Sequence, residues 1–541
     1  MTMFRLHSYS NRVCVIVLTA LCALGHTGHV YAQTTATTGT TSDAQPRFVI
    51  KGFDIVGDNP LVNGEASDIL APYLRADASI ETLQMATAAL ESALRKKGYA
   101  LHRVVLPPQE VGSSVTLTIV KFVIGKISIE GAQRYDMDNI RASLPDLVAG
   151  KSPNFQKLAI QTSIANESQG KHVQVGLKES EEPNKIDAHV IVTESKPWSL
   201  AVNESNTGSN ATGNDRLTLT ASHANLFNRD HQATLSYSTS LERLSDVRQL
   251  GLNYRIPLYQ LGGVATVNYT HSDVLGDFGA FKSSGAGRTF GVGYNHYLPP
   301  DGGSRSYIGL GLDDKQFDVA KINDIPLAGQ MTRRARPLTL GLNTRVDTDR
   351  ASWNYNLDLV VNTTGGEGND LTAYQSEDTR ITNVNWKAVR GGANYLSALD
   401  NGWLWGLRTQ FQWASDALVS GEQFGLGGAT SVRGTSERAL AADNGLLLST
   451  ELTTRELAPG LRLRGFVDAG WLGNINPNGN PKPAHDALSS IGVGLRYTLS
   501  QLSVTADYGR LIAGSSQPYV AGSLLPQSGD QKLHVNVSAR F

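Results

Sequence analysis

The chain has 541 residues, with 48 Lys and Arg against 49 Asp and Glu, so its formal net charge of −1 offers no basic field for nucleic acid. Charged residues make up 18% of the chain, below the roughly 25% of soluble domains, and the 54 glycines exceed the usual share of about 7%. Both shifts are typical of a protein with many strands and turns and a lipid-facing surface.

The N-terminus predicts export. Two arginines precede the apolar run Val13–Leu24, and the small-x-small pattern that ends at Ala32 is typical of a cleavage site, so residues 1–32 are predicted to be a signal peptide. The apolar run has 12 residues, which is shorter than the ~20 that a transmembrane helix needs. Cys14 and Cys22 both lie within it, so the mature chain is predicted to contain no thiol, disulfide or cysteine-ligated metal.

A Thr-rich segment without aromatic residues, 33–47, follows and is predicted to be a disordered linker. After Ala32 there is no run of 18 apolar residues, so the sequence predicts no transmembrane helix. An exported chain of this kind can still be integral to a membrane if its strands close into a barrel.

Two small α+β units come next, over residues 48–122 and 123–196. In the first, Ser79 is a predicted N-cap of a helix that ends before Gly98, and strands flank the helix on both sides. In the second, Asp136 and Asn154 are predicted to cap two helices, and a hairpin closes the unit. The repeated plan indicates a duplication, and a free sheet edge in either unit could add an extended peptide as a further strand.

From Trp198 onward the pattern changes to alternating apolar and polar residues in runs of about ten. Sixteen such runs are present, with the tenth placed around Asn383–Val389, and an even number is what a bacterial single-chain barrel requires. The alternative, a secreted β-sandwich, would not need so many strands with a single apolar face. Residues 197–541 are therefore predicted to form a transmembrane β-barrel.

The C-terminal run alternates as well and ends on an aromatic residue, Phe541. A last barrel strand that ends in this way is the usual form of an outer-membrane assembly signal. Phe541 is therefore assigned that role, with the barrel-assembly machinery and outer-membrane lipid as expected partners.

A Gly-rich stretch, residues 422–440, interrupts the series of strands between the eleventh and twelfth runs. Val432, Arg433 and Gly434 stand at its centre. The stretch is too long for a plain hairpin turn, which indicates a functional connection.

About 28 residues further on, the strand GFVDAGW places Phe466, Asp468 and Gly470 on one face, since side chains alternate along a strand. In a membrane barrel that face looks into the lumen. A carboxylate in a low-dielectric, partly watered lumen needs a cation, and Arg433 on the long connection is a candidate. The alternative interpretation is that Arg433 lies in a solvated turn and Asp468 merely lines a pore.

These features resemble the outer-membrane transporters of two-partner secretion (TpsB type), within the barrel-assembly superfamily. GYALHRVVLPPQEVG in the first unit, ISIEGAQRYDMDNIRASLPDLVAGKSPNF in the second and FGLGGATSVRG in the connection carry the resemblance. It implies two periplasmic POTRA domains before a 16-stranded barrel. It also implies that the connection between the eleventh and twelfth strands folds into the lumen, where the arginine of Val-Arg-Gly pairs with the aspartate of F-x-D-x-G.

Three departures from the family pattern are visible. Thr435 stands where an aromatic residue usually follows Val-Arg-Gly, so the packing of the tip is expected to differ. The 33–47 linker shows no amphipathic periodicity, which argues against the plug helix that some members carry. LKESEEPNK replaces the usual Pro-Gly turn, so that hairpin is expected to be longer.

No motif of catalysis or cofactor binding is supported. Gly150-Lys151-Ser152 resembles the end of a P-loop, but Pro145 stands where its first glycine is required. H-E-x-x-H and G-x-S-x-G are absent. The sequence therefore predicts no catalytic residue, metal or cofactor and a protein that is not an enzyme.

The resemblance implies a translocator that exports an unfolded partner exoprotein, of adhesin or haemolysin type, across the outer membrane without ATP. Its POTRA domains would bind the partner in extended form in the periplasm. A barrel-assembly insertase of the same superfamily stays an alternative, although such proteins more often have three or more POTRA domains. A passive porin is a weaker alternative because porins lack POTRA domains.

Overall fold

The computed structural model describes residues 47–541, except positions 111, 210–211, 279–280, 320, 323–324, 480–481 and 519–522. The predicted signal peptide, the linker up to residue 46 and the question of a plug helix lie outside this range. Among the described residues, none of the helices combines the length and apolar character needed to cross a membrane.

The first α+β unit is a three-stranded sheet covered by helices, in the order β1-β3-β2 with β1 parallel to β3. Its elements are β1 Gly52–Gly57, α1 Glu65–Leu70, a 3₁₀ turn Ala71–Tyr73, α2 Ile80–Lys96, β2 His102–Val105 and β3 Ser114–Lys121. Ser79 caps α2 as predicted, because its hydroxyl accepts from the Thr82 amide while the Thr82 hydroxyl accepts from the Ser79 amide. The short helix α1 was not predicted.

The second unit repeats this plan in the order β4-β6-β5. Its elements are β4 Val123–Glu130, α3 Met137–Ser143, α4 Phe155–Asn166, β5 Lys171–Glu179 and β6 Lys185–Glu194. Asp136 and Asn154 accept backbone hydrogen bonds at the starts of α3 and α4, as predicted. Among the described residues, β5 pairs with β6 alone, and on its outer edge the Asn166 side chain bonds the backbone amide and carbonyl of Val173.

Sixteen antiparallel strands form a closed barrel, which confirms the predicted fold class. They are β7 Trp198–Ser205, β8 Arg216–Leu226, β9 His231–Thr239, β10 Gln249–Leu258, β11 Gly263–Ser272, β14 Gly287–Tyr297, β15 Ser304–Phe317, β19 Pro337–Asp347, β20 Ala351–Asn362, β21 Lys387–Ala398, β22 Leu404–Ala414, β25 Asn444–Thr453, β26 Leu461–Gly473, β27 His485–Leu499, β28 Leu502–Ala513 and β29 Gln531–Arg540. Short strands extend some connections: β12 Leu275–Phe278, β13 Phe281–Ser284, β16 Lys321–Ile322, β17 Ile325–Pro326 and β18 Arg333–Ala335.

Connections alternate between short and long around the barrel. The short turns, such as 227–230 between β8 and β9, lie on the side of the two α+β units, and the long connections lie on the opposite side. The tenth barrel strand, β21, begins at Lys387. The sequence-based prediction placed it a few residues too early, because Trp386 belongs to the preceding connection and is fully buried.

The two faces of the barrel wall follow the period of two. Leu340, Leu357 and Val493 are exposed on the outer face, whereas the intervening positions carry polar and small residues towards the lumen. Phe541 and Leu533 are exposed on that same outer face. The C-terminal strand β29 pairs with both β28 and β7 and so closes the barrel.

Candidate functional site

The connection between β22 and β25, residues 415–443 (the inward connection), folds back on itself. It forms a small hairpin of β23 Phe424–Leu426 and β24 Leu440–Ala442. Gly427 and Gly434 have φ angles of +111° and +101°, which side chains other than glycine rarely adopt. These two glycines let the chain between the hairpin strands turn sharply enough for its tip to reach the barrel wall.

At the tip, Arg433 contacts Asp468 on the lumen face of β26. Its Nε and Nη2 atoms donate to Asp468 Oδ2 at 2.8 Å and Oδ1 at 2.7 Å, and its backbone amide donates to Oδ2 at 3.1 Å. Arg433 is 2% exposed and Asp468 is fully buried. Two parallel bonds from a planar guanidinium are the strongest geometry for such a pair, so the contact fixes both the position and the direction of the tip.

Two hydroxyl groups complete the surroundings of the Asp468 carboxylate. Ser449 donates to Oδ1 at 2.6 Å and Ser490 donates to Oδ2 at 3.4 Å. Ser449 and Ser490 are the register partners of Asp468 on the neighbouring strands β25 and β27. The carboxylate therefore keeps hydrogen-bond donors on the wall even when the connection is absent.

Further charged residues of the lumen face surround Arg433, and the sequence analysis did not identify them. Arg433 Nη1 lies 2.5 Å from Glu451 Oε1 and 3.6 Å from Asp507 Oδ2. Arg464 donates to Asp507 from Nε at 2.7 Å. Each of these residues lies at an inward position of its own strand, but their proximity depends on strand registers that a single sequence does not supply.

The side chain of Phe466 lies flat against the guanidinium of Arg433. The ring centroid is 3.4 Å from Cζ of Arg433, a stacked cation–π contact. Gly492 makes room for the ring, because a Cβ at that position would lie 2.1 Å from Phe466 Cζ. Phe466 is 3% exposed, so it shields one side of the ion pair from water.

The remaining motif residues bring the connection close to the wall. A Cβ on Gly470 would lie 2.4 Å from the Leu426 side chain, and a Cβ on Gly434 would lie 3.0 Å from the backbone of Gly509. Val432 is fully buried in an apolar cluster with leucines of the wall, and Thr435 is 8% exposed. The structure thus brings together Val432, Arg433, Gly434, Phe466, Asp468 and Gly470, and it places Phe541 elsewhere, at the end of β29.

A second connection, residues 363–386 between β20 and β21 (the cap), also packs against lumen-facing wall positions. It contains α5 Leu371–Gln375, and Tyr374, Ile381 and Trp386 are fully buried against wall residues such as Val360 and Ala388. Sequence patterning did not indicate this inward packing, since the segment has the polar composition of an ordinary loop.

Three ion pairs, one of them buried on both sides, fix the inward connection near the end of the barrel that lies opposite the two α+β units. Arg380 of the cap donates to Asp443 at 3.0 Å. Glu422 contacts Arg390 at 2.8 Å and Lys315 at 3.0 Å, both from the wall. The inward connection is therefore fixed at its tip by Arg433 and near both of its ends by these pairs.

Non-covalent contacts hold the site together, and they can in principle break and form again. Within the described residues, no group of three or more His, Cys, Asp or Glu side chains is placed to hold a metal ion. The geometry shows a charged connection docked inside a barrel by hydrogen bonds and ion pairs.

Comparisons with known proteins decide the family. Residues 185–497 match the model of the haemolysin secretion/activation proteins ShlB/FhaC/HecB, and residues 48–121 match the ShlB-type POTRA domain. The chain belongs to this family. It is thus a TpsB-type transporter of the outer membrane, with its POTRA domains in the periplasm.

Two relatives illustrate the likeness in sequence. The outer membrane transporter CdiB of Escherichia coli is 22% identical over 452 residues, covering 79% of this chain and 73% of the relative. The heme/hemopexin transporter protein HuxB of Haemophilus influenzae is 21% identical over 451 residues, covering 78% and 75%.

Solved structures share the fold. CdiB from Escherichia coli superposes with a TM-score of 0.73 at 20% identity, covering 94% of this chain and 93% of that one. CdiB from Acinetobacter baumannii superposes with a TM-score of 0.68 at 17% identity, covering 98% of this chain and 97% of that one. These two likenesses support two POTRA domains followed by a 16-stranded barrel.

The inward connection is expected to limit the conductance of the channel. Deleting residues 427–440 removes the tip and the first residue of β24, so we expect the single-channel conductance in planar bilayers to rise. The rise should stay below that of an open barrel of this size, because the cap still packs against the wall. Deleting the exposed residues 241–246 of the β9–β10 connection is the matched control. Unchanged conductance after the first deletion would contradict an obstructing role for the connection.

Proposed function

We propose that this transporter exports an unfolded partner exoprotein, of adhesin or haemolysin type, across the outer membrane without ATP. The observation that carries the proposal is a closed barrel whose lumen holds a connection docked by the Arg433–Asp468 pair. A docked connection that can be released suits the passage of a long chain, because the lumen can be closed at rest and cleared during export. The contact was implied by the family resemblance, and its role as a latch is part of the proposal.

Folding of the partner outside the cell is the proposed source of energy. A chain that folds after it emerges is removed from the unfolded population, so its return through the pore becomes unfavourable. The P-loop-like Gly150-Lys151-Ser152 lacks its first glycine, so this stretch does not supply a nucleotide site as another source of energy.

The second POTRA domain offers a place for an extended segment of the partner. Beyond Val173, whose backbone amide and carbonyl bond the Asn166 side chain, the outer edge of β5 can add a strand through backbone hydrogen bonds, and α4 lies beside it. Together they line a groove of about 600 Å³ with side chains that include Phe155, Leu158 and Val175. Pro300 and Arg305, from the β14–β15 turn and the start of β15, line the same groove, so it leads from the POTRA domain to the barrel.

Reconstitution tests the proposal directly. The product of the neighbouring reading frame, if it is a large secreted β-rich protein, is unfolded in urea and diluted onto proteoliposomes that contain the full transporter. We expect protease-protected partner to accumulate inside without nucleotide, and empty liposomes serve as the control. Accumulation that requires ATP would contradict the energy source, and failure to accumulate under any condition would contradict export of that partner.

A further inference from the structure

The turn between β8 and β9 has an unusual backbone. Phe227, Asn228 and Asp230 all have φ angles between +55° and +59°, a region that Asn and Asp adopt more readily than other residues with side chains but that is unfavourable for a bulky residue such as Phe227. The Asp230 amide donates to the Asn225 side chain at 3.0 Å, which helps to hold the turn. The backbone of this turn fixes the position at which the side chain of Asp230 leaves it.

The side chain of Asp230 inserts into the second POTRA domain. Lys171 of β5 donates to Asp230 Oδ2 at 2.7 Å, and Asn139 of α3 donates to Oδ1 at 3.1 Å. Tyr259, from the next periplasmic turn of the barrel, donates to Oδ2 at 2.6 Å. Asp230 and Lys171 are 1% and 3% exposed, so the ion pair is shielded from water.

Lys171 is held on its other sides as well. Its Nζ atom donates to Asn139 Oδ1 at 2.6 Å and lies 5.2 Å from the ring centroid of Tyr135. Burial lowers the pKa of Lys171, an effect that the Asp230 carboxylate opposes. Separation of the domain from the barrel would therefore leave Asp230 without its cation.

A second polar contact lies on another side of the same interface. Glu167, which follows α4, accepts from Arg255 at 2.7 Å and from the Tyr297 hydroxyl at 2.5 Å, both from barrel strands. Gln169 accepts from Arg540 of the last strand. Because these contacts lie at separate points of the interface, they oppose both rotation and displacement of the second POTRA domain relative to the barrel.

Apolar packing joins the two parts between these polar contacts. Tyr259, Val264 and Tyr297 of the barrel belong to the same buried cluster as Ile160 and Ile164 of α4. The core of the second POTRA domain therefore continues into the periplasmic rim of the barrel.

We propose that Lys171, Asn139, Asp230 and Tyr259 are positioning residues that fix the second POTRA domain on the barrel in a single orientation. In this orientation the groove beside β5 ends at Pro300 and Arg305 of the barrel. The functional consequence rests on the proposed export: the partner is handed from the groove to the pore without a swinging movement of the domain. The positioning itself is a property of the chain alone.

Distance measurements between spin labels test the positioning in the full chain. The mature chain is predicted to lack cysteine, so Gln174→Cys on β5 and Asp349→Cys on a periplasmic turn of the barrel give a single labelled pair. We expect a narrow distance distribution in the parent and in Lys126→Met, an exposed lysine of β4 that serves as the matched control. Lys171→Met should broaden the distribution at least about twofold, because the buried carboxylate of Asp230 then favours contact with water.

Tyr259→Phe keeps the packing and removes one hydrogen bond, so it should broaden the distribution less, and it remains informative if Lys171→Met assembles poorly. Heat-modifiable mobility checks the barrel in each variant. An unchanged distribution in Lys171→Met or, if that variant does not assemble, in Tyr259→Phe, would overturn the proposal.

A cross-linking experiment on Lys171→Met distinguishes the loss of domain positioning from general damage to the fold. Gln169→Cys and Arg540→Cys, joined by a bifunctional thiol reagent in a chain without the spin-label cysteines, should restore export of the neighbouring-frame product to Lys171→Met. A cross-linked Lys171→Met chain that still does not export would overturn the functional consequence. If the parent exports nothing while Lys171→Met still broadens the distribution, the proposed function fails and the positioning stands.

Discussion

Replacing Arg433 by alanine is expected to release the inward connection and to reduce export at least about tenfold, while the barrel still assembles. The change leaves the buried carboxylate of Asp468 without its cation. It also removes the cation that lies between Asp468 and the neighbouring carboxylates of Glu451 and Asp507. Removing one member of a buried pair costs roughly 3–5 kcal/mol, and less where water reaches the lumen. The strand ladder is untouched, so assembly should persist.

Replacing Asp468 by alanine should reduce export less than replacing Arg433 does. In Asp468→Ala, Arg433 keeps Glu451 at 2.5 Å and its stacking on Phe466. The double variant should be no worse than Arg433→Ala, because both changes remove the same contact. Arg433→Lys should restore little, since an ammonium group can neither form the two parallel bonds nor stack in the same way.

The measurement is export of the neighbouring-frame product, with heat-modifiable mobility as the check on folding. Arg455→Ala, in an exposed periplasmic turn, is the matched control and should export normally. A thiol-reactive dye on Thr435→Cys, a position that is buried while the tip is docked, would report release of the tip through faster labelling. Normal export by Arg433→Ala, or defects of the two single variants that simply add, would show that the pair is not a latch.

Removing both POTRA domains should abolish export. A chain that begins at Trp198 after its signal peptide lacks the β5 edge and groove, so we expect no partner in the medium. It also exposes Tyr259, Val264 and Tyr297 at the periplasmic rim, which are buried in the full chain. The amount of assembled barrel should therefore fall as well, since an exposed apolar patch favours aggregation.

Export by each chain must be divided by the amount of assembled barrel, which heat-modifiable mobility measures. A chain that lacks only residues 48–121 keeps the second domain and its contacts with the rim, so it should assemble like the parent. Export by the chain that begins at Trp198, at the parent level per barrel, would refute a recognition role for residues 48–196.

The sequence alone predicted the features that depend on local periodicity. Alternation with a period of two located sixteen barrel strands and assigned the inward face of β26, including Asp468. Ser79, Asp136 and Asn154 were found as helix caps because capping is decided within three residues of the helix start. The family motif, rather than spacing, pointed to Arg433 as the partner of Asp468.

Only the tertiary structure decided which distant residues meet. Glu451, Asp507 and Arg464 surround Arg433 because the registers of four adjacent strands bring their inward positions to one level, and register is set by pairing across the whole barrel. Asp230 meets Lys171 because a strained turn carries it into another domain, 59 residues away along the chain. The cap packs inward through Tyr374, Ile381 and Trp386, whose spacing follows no strand or helix period, so their burial could be read only from the assembled lumen.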